Sequence, residues 1–172
     1  TPLFVNNDLL TDLTPYIDKW EDKDDIPENI YNIMKEAGGS EEEMYVMPWN
    51  VQVLYVYYRP SIFEKAGVEV PKTYDEFLEA IKKCTMDTDG DGETDVYGFG
   101  MRGAKGGQEP WGSFIYGEGG DFENLTSKES VKGMQDFIDL YENGYVPPTA
   151  VSDGFQETVA NFQSGLTAMF IH

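Results

Sequence analysis

The chain has 172 residues, and its 12 Lys and Arg stand against 32 Asp and Glu, which gives a formal net charge of −20. This balance excludes a binder of the nucleic-acid backbone, which needs a concentrated basic face, and argues against docking on anionic lipid. A single cysteine, Cys84, and a single histidine, His172, exclude an internal disulfide and argue against cysteine- or histidine-based metal sites and catalytic triads.

The first fifty residues predict one helix in strongly acidic surroundings. Apolar residues recur at helical spacing from Ile26 to Met34, Pro27 stands near the start, and Gly38-Gly39 ends the pattern. The acidic residues between 18 and 43 are typical of a solvated face. No apolar run reaches the roughly 18 residues of a membrane span, and no signal-peptide pattern opens the chain.

A strand and a short helix are predicted next. Residues 51–58, Val-Gln-Val-Leu-Tyr-Val-Tyr-Tyr, are β-branched and aromatic, and their apolar character on both faces predicts a strand that is covered on both sides. Ser61 and Glu64 have the spacing of a capping box that opens a short helix, which Gly67 closes.

A second capping box, Thr73 and Glu76, precedes a helix with one apolar face. That face carries Phe77, Leu78, Ile81 and Cys84. The pattern therefore makes Cys84 a small buried apolar residue rather than a nucleophile.

The following segment predicts a strand over residues 96–101 and a glycine-rich loop over residues 103–107. The loop continues to Trp111, and residues 112–116 then start a helix.

The last third predicts two helices and a strand. Thr126 and Glu129 form a third capping box before a long helix, for which we expect Val131, Met134, Ile138 and Tyr141 to point inward. A final helix stops at Gly165, and residues 166–171 form a strand. Helices and strands alternate, which predicts a layered α/β fold. We also expect the chain to be part of a larger protein.

An aspartate-rich loop over residues 87–95 is the sharpest local motif. Acidic side chains at alternate positions can converge on one hard cation, and Gly92 permits the tight bend that this requires. The predicted calcium ligands are Asp87, Asp89, Asp91, Asp95 and the carbonyl of Glu93. Gly98 stands where an EF-hand would place its last glutamate, so we expect a structural calcium turn of another type or an acidic surface turn without an ion.

Two tryptophan-containing segments are candidates for ligand contact. One precedes the first strand and the other follows the glycine-rich loop, and together they supply Trp49, Asn50, Arg102, Gln108, Glu109 and Trp111. An indole face stacks well on the C–H face of a sugar ring, while Glu, Gln and Asn bind hydroxyls. Paired carboxylates can also hydrolyse glycosides, but a pair is expected by chance among 32 acids.

Several motifs, in chain order, resemble one known family. These are residues 12–17 (Asp-Leu-Thr-Pro-Tyr-Ile), Met47-Pro48-Trp49 with residues 54–63, residues 66–77 (Ala-Gly-Val-Glu-Val-Pro-Lys-Thr-Tyr-Asp-Glu-Phe), the aspartate-rich loop before residues 97–99, and residues 162–169. They are similar to the extracellular solute-binding proteins of ABC importers, of the sugar-binding type related to maltose-binding protein.

The resemblance implies a type II periplasmic-binding-protein-like lobe with helices layered around a central mixed sheet, in an incomplete two-lobe architecture. Residues 1–50 would be the last part of the first lobe and the approach to the hinge, and residues 51–172 most of the second lobe. Glu109 and Trp111 match the loop of the second lobe that contacts sugar, and Trp49 and Asn50 fall near contacts on the hinge side.

The implied function is that of a non-enzymatic, monomeric receptor outside the cytoplasm, either periplasmic or a cell-surface lipoprotein. It would bind a carbohydrate-like solute between two lobes and deliver it to a membrane permease, with calcium as the only expected cofactor. The alternatives are a glycoside-processing enzyme domain and a calcium-dependent interaction module.

Overall fold

The computed structural model describes residues 2–50 and 52–172. The chain divides into two compact units, Thr1–Val53 and Leu54–His172. The assignment of residues 1–50 and 51–172 to parts of two lobes stays a prediction.

The first unit is built from short helices. They are α1 (Pro2–Val5), α2 (Thr14–Ile17), a 3-10 turn (Lys23–Asp25) and α3 (Glu28–Gly38). Helix α3 ends where the sequence predicts, because Gly39 takes the left-handed conformation with φ +80° that a side chain would disfavour. The Thr14 hydroxyl donates to Asp12 and accepts the backbone N–H of Met44 at 3.0 Å, and this ties α2 to the segment after α3.

The second unit is an α/β layer around a mixed sheet, as predicted. Its elements are β1 (Val56–Tyr58), α4 (Pro60–Ala66), α5 (Tyr74–Cys84), β2 (Tyr97–Gly100), α6 (Gln108–Gly117), α7 (Lys128–Glu142), α8 (Phe155–Ser164) and β3 (Thr167–Ile171). The sheet order is β1-β3-β2. Strand β2 is parallel to β3, and β1 is antiparallel to it, with Tyr57 opposite Phe170.

An aromatic core joins α5, α6 and α7 to one face of the sheet. The rings of Phe77, Phe99, Phe114 and Phe137 meet at centroid distances of 5.2–5.9 Å, mostly edge to face. Cys84 is fully buried in the same cluster, as the sequence predicts. Burial in these apolar surroundings raises the pKa of its thiol to about 11, so it is not a nucleophile at neutral pH.

The strand predicted over residues 51–58 is shorter and more exposed than expected. Position 51 lies outside the described residues, and of the remainder only Val56–Tyr58 is a strand. All three of its residues are exposed, so the prediction of a strand covered on both sides is wrong for this chain. Among the described strands β1 pairs only with β3, which makes it an edge strand.

Two of the three predicted capping boxes are also wrong. Helix α4 begins at Pro60 after Arg59 and has no side-chain cap. Proline is favoured at the first helical position, because it has no backbone N–H that would need a hydrogen-bond partner there. Helix α7 is capped by Ser127, whose hydroxyl accepts the N–H of Ser130, one residue later than predicted. The remaining prediction, a capping box of Thr73 and Glu76, holds in part, since the Thr73 hydroxyl accepts the N–H of Glu76 at 3.2 Å.

The inward face predicted for α7 is wrong by one position. Val131, Ile138 and Tyr141 are exposed, and Met134 is half-buried. The buried residues are Ser130, Gly133, Asp136, Phe137 and Leu140. Gly133 sets this orientation, because a Cβ there would overlap the Phe114 carbonyl oxygen and lie 2.6 Å from Ile115 Cα. The backbone contact between α6 and α7 therefore outweighs the apolar periodicity.

Among the described helices, none combines the length and the apolar character needed to cross a lipid bilayer.

Candidate functional site

The carboxyl ends of β2 and β3 lie at one edge of the sheet, because these two strands are parallel. Clefts for ligands in α/β layers form outside the carboxyl ends of parallel strands. Strand β2 leads into Met101 and Arg102, and β3 ends just before His172. The first turns of α6 and α8 approach the same edge, because Arg102 contacts Glu109 in the first and Phe155 in the second.

Backbone hydrogen bonds hold the glycine-rich loop after β2 against the segment before α8. The N–H of Gly103 donates to Ala150 O at 2.9 Å, and the N–H of Ala104 donates to Asp153 O at 3.1 Å. A Cβ at Gly103 would lie 2.5 Å from Ala150 O, so this close approach requires glycine. The loop thereby places Arg102 beside the start of α8.

Arg102 is the central cation of this edge. Its guanidinium lies 5.6 Å from the ring centroid of Phe155, at the start of α8. Its Nη1 is 4.0 Å from Glu109 Oε2, and its Nη2 donates to the Lys105 carbonyl at 3.5 Å. Its Nε is buried and has no hydrogen-bond partner among the described residues. A side chain at Gly106 would overlap the guanidinium. Arg102 is thus positioned by stacking while several of its donors remain available for a ligand.

Helix α6 begins four residues earlier than the sequence predicts. It starts at Gln108, because Pro110 falls within the first helical turn, where proline is tolerated. Gln108 and Glu109 are exposed in that turn, where the helix dipole favours the negative charge of Glu109. The structure therefore brings together the predicted residues Arg102, Gln108 and Glu109.

Trp111 lies on the same helix but has partners of its own. Its indole is half-buried, packs against the core and meets the ring of Phe122 edge to face at 5.3 Å. It is not sealed inside the protein. Its contact with a ligand stays a prediction.

Two residues that sequence reasoning missed complete this edge, Phe155 and His172. The two rings are 4.8 Å apart, and both side chains are exposed. His172 also stacks on Phe170 at 5.7 Å with an angle of 11° between the planes. The parallel pairing of the last strand with β2 is the signal that would have found His172, but pairing is not visible in the sequence alone.

Trp49 and Asn50 belong to the first unit. The Trp49 side chain is 95 % exposed, and Asn50 is exposed. They help to line a shallow pocket of about 250 Å³ with Asp25, Ile26, Pro27, Ile30 and Pro48. An exposed indole above apolar side chains suits stacking, and the role of both residues in ligand contact stays a prediction.

The second unit also has a groove of about 460 Å³ on the face of the sheet that carries the aromatic core, where Phe77 and Phe114 contribute to its lining. Its lining is largely apolar, and only Lys72, Thr73 and Ser113 bring polar side chains among otherwise apolar residues and tyrosines. A hydroxyl-rich solute needs more partners than this, so the groove is a weaker candidate than the edge at Arg102.

The aspartate-rich loop folds around its own carboxylates. Asp87 accepts the backbone N–H of Gly90 at 2.6 Å and of Gly92 at 2.8 Å, and both glycines have positive φ. These bonds lower the pKa of Asp87, and hydrogen bonds from the Thr88 hydroxyl and N–H lower that of Asp95.

One carboxylate oxygen from each of Asp87, Asp89 and Asp95 lies within 4.8 Å of the other two. Three carboxylate groups so close together match the oxygen donors that calcium prefers. Asp91 and Glu93 are not part of this group, although the Asp91 carboxylate accepts the N–H of Glu93 at 2.8 Å. The donor set fits calcium, and its binding stays a prediction.

Comparison with known proteins identifies the class. The family model of bacterial extracellular solute-binding proteins matches residues 1–172. The chain belongs to this family, which confirms the resemblance based on the motifs.

A mannitol-binding protein from Pseudomonas aeruginosa is 26 % identical over 142 residues, which is 74 % of this chain and 30 % of that protein. The chain therefore spans about a third of this curated relative.

Solved structures share the type II fold. The solute-binding protein of Thermotoga lettingae TMO bound with alpha-D-tagatose has a TM-score of 0.76 and 24 % identity, and the match covers 99 % of this chain and 44 % of that one. The protein of Agrobacterium vitis S4 with bound D-mannitol has a TM-score of 0.63 and 25 % identity, over 99 % and 42 % of the two chains. The predicted periplasmic-binding-protein-like lobe is confirmed.

Proposed function

We propose that this chain is part of the substrate-binding component of an ABC importer, which binds a carbohydrate or polyol outside the cytoplasm and delivers it to a permease. The family match over residues 1–172 is the observation that carries this proposal. The mannitol-binding relative from P. aeruginosa and the structure with D-mannitol support the class of solute.

The edge at Arg102 has the chemistry that such a solute requires. Arg102 offers donors only and Glu109 offers acceptors, so the pair can bind neighbouring hydroxyl groups of one neutral molecule. Phe155 supplies an apolar surface beside them. The net charge of −20 disfavours an anionic solute, which the whole surface would repel.

We place the protein in the periplasm or, as a lipoprotein, on the cell surface, as a monomer that acts with a membrane permease and not with nucleic acid. It binds its solute without altering it. The family consists of solute-binding proteins, and no contact in the described residues favours glycoside processing or a calcium-dependent interaction module instead.

A thermal-shift screen of the full-length protein tests the function and the site together. The panel comprises mannitol, ribitol, tagatose, glucose and maltose. We expect at least one of these sugars or polyols to raise the midpoint of thermal unfolding by several degrees, because a ligand that binds only the folded protein stabilises it. In Trp111→Ala the shift caused by each active solute should be lost or strongly reduced.

The matched control is Trp20→Ala, which removes a partly exposed indole from the first unit. It should keep the ligand-induced shift. If active solutes stabilise Trp111→Ala as strongly as the parent, Trp111 is not in the site. If no member of the panel shifts the parent, and release of reducing sugar from glycosides is found instead, the receptor function is wrong.

We also propose a structural calcium ion in the aspartate-rich loop, held by Asp87, Asp89 and Asp95, with Asp91 and the Glu93 carbonyl as further candidate ligands. Metal-stripped protein should bind Ca²⁺ in a calorimetric titration, and Asp89→Ala should abolish the heat. Asp139→Ala, which removes an acid outside the loop, should leave it unchanged. A flat titration of the parent protein would rule out the ion.

A further inference from the structure

We infer that Asp153 is a positioning residue for solute binding, because it holds the glycine-rich loop and the start of α8 together and so fixes where Arg102 points. This inference rests on the proposed function and adds to the edge at Arg102 a residue that acts through the arginine rather than by touching the solute. None of the sequence motifs contains Asp153.

The carboxylate of Asp153 is buried between a turn and a helix. The residue is 5 % exposed and lies between the turn at residues 148–152 and α8, with only Gly154 before the first helical residue. Among the described residues it takes part in no ion pair, so hydrogen bonds alone hold the side chain. A buried carboxylate without partners would be costly, so these bonds determine how the surrounding backbone packs.

One oxygen of this carboxylate joins the turn to the helix. Asp153 Oδ2 accepts the hydroxyl of Thr149 at 3.1 Å and Nδ2 of Asn161 at 3.0 Å. Thr149 belongs to the turn, and Asn161 lies in α8. The backbone N–H of Asp153 also donates to Thr149 O at 3.0 Å. The side chain of Asp153 therefore fixes the turn against α8.

The backbone of the same segment holds the glycine-rich loop. The Ala104 N–H donates to Asp153 O at 3.1 Å, and the Gly103 N–H donates to Ala150 O at 2.9 Å. These two donors follow Arg102 directly in the chain. The ring of Phe155, two residues after Asp153, lies 5.6 Å from the guanidinium of Arg102. Both the backbone that follows Arg102 and its side chain thus depend on the segment that Asp153 fixes.

This support matters for binding because the loop is intrinsically flexible. Gly103, Gly106 and Gly107 fall within five residues after Arg102, and glycine has more backbone freedom than any other residue. A loop that is free in the unbound protein has to be ordered when the solute binds, and this loss of entropy weakens binding. Asp153 orders the loop beforehand, so that the donors of Arg102 are already in place.

The test measures affinities for the five solutes of the thermal-shift panel by calorimetry on the full-length protein. Asp153→Ala should weaken the binding of each active solute about threefold to tenfold. Asp153→Asn should keep the affinity within about twofold of the parent, because the amide oxygen can accept the same two hydrogen bonds. In an Arg102→Ala background, Asp153→Ala should cause no further loss, because its effect passes through the arginine.

Ser130→Ala is the matched control for a buried polar side chain. Ser130 is 1 % exposed, and its hydroxyl bonds with Asp121 and Ser127 rather than with the loop. This variant should lower the midpoint of thermal unfolding and leave solute affinity at the parent value. A purely structural role of Asp153 would make Asp153→Ala behave in the same way.

Hydrogen exchange followed by mass spectrometry reads the loop without any solute. The amides of Gly103 and Ala104 should exchange faster in Asp153→Ala and at the parent rate in Asp153→Asn and Ser130→Ala. Asn161→Ala removes one of the two side-chain bonds and keeps the carboxylate. It should change affinity and exchange in the same direction to a smaller extent, and it replaces Asp153→Ala if that variant does not fold.

Three results would overturn the positioning role of Asp153 while the receptor function stands. They are parent-like exchange of the loop in Asp153→Ala, unchanged affinity in that variant, and an equal loss of affinity when Asp153→Ala is added to Arg102→Ala. Binding of no panel solute to the parent would contradict the proposed function and, with it, this inference.

Discussion

The substitution Gly98→Ala should cost the protein about 3 kcal/mol or more of unfolding free energy, at the upper end of what overpacking in a core produces. Gly98 lies in the centre of β2, where the strand crosses α5. A Cβ at this position would overlap the Ile81 carbonyl oxygen and lie 2.5 Å from its carbonyl carbon and 2.9 Å from its Cα. All three atoms belong to the backbone of α5, so the clash is relieved only by moving the helix off the sheet.

Chemical denaturation followed by circular dichroism measures this loss. Gly154→Ala is the matched control, because a Cβ there meets only the flexible carboxylate end of Glu157 at 3.1 Å. We expect it to change the free energy of unfolding by less than about 0.5 kcal/mol. If both variants unfold at the same denaturant concentration as the parent, α5 does not lie on β2 as closely as the structure places it.

The helices could largely be predicted from the sequence, whereas the phase of α7 could not. Helix α5 follows its apolar pattern, because its buried residues Phe77, Ala80, Ile81 and Cys84 all lie on the face that joins the core. Helix α7 carries apolar residues on two faces, and the choice between them depends on Gly133 meeting the backbone of α6. A glycine without a side chain gives no signal in a pattern of hydrophobicity, so this orientation emerges only from tertiary contact.

The candidate site was predictable in part, for a similar reason. Arg102 and Glu109 flank one loop, and the chain connectivity alone brings them to the same place. Phe155 and His172 lie in segments that follow Arg102 by more than about fifty residues in the sequence. They join the site because β3 is parallel to β2 and because the loop after β2 is bonded to Ala150 and Asp153. These long-range pairings are not encoded by any local motif.

The two arginines of the chain should respond in opposite ways to truncation. Both guanidinium groups lie over a phenylalanine ring, Arg59 at 5.7 Å from Phe162 and Arg102 at 5.6 Å from Phe155. Arg59 uses its Nη1 to donate to the carbonyls of Phe162 and Gln163, at 2.8 and 3.3 Å, and so satisfies the last turn of α8. Among the residues that the structure describes, Arg102 donates one long hydrogen bond, at 3.5 Å, and forms a 4.0 Å ion pair with exposed Glu109.

We therefore expect Arg102→Ala to lower solute affinity roughly 10- to 150-fold, which corresponds to the loss of a charged hydrogen bond of about 1.5–3 kcal/mol. Its stability should change by less than about 1 kcal/mol, because surface ion pairs contribute little. Arg59→Ala should lower the free energy of unfolding by roughly 1–2 kcal/mol, since the end of α8 loses its partner. Its solute affinity should stay at the parent value.

Calorimetric titration with the tightest solute and chemical denaturation of both variants measure the two effects side by side. The comparison separates ligand binding from structural support, because the two side chains are of the same residue type and lie at similar distances from a phenylalanine ring, whereas their donors point to different partners. Loss of affinity in Arg59→Ala equal to that in Arg102→Ala would mean that α8 transmits the effect and that the carboxyl edge of β2 and β3 is not the binding surface. Unchanged affinity in Arg102→Ala would remove Arg102 from the site and leave Glu109 without its proposed partner.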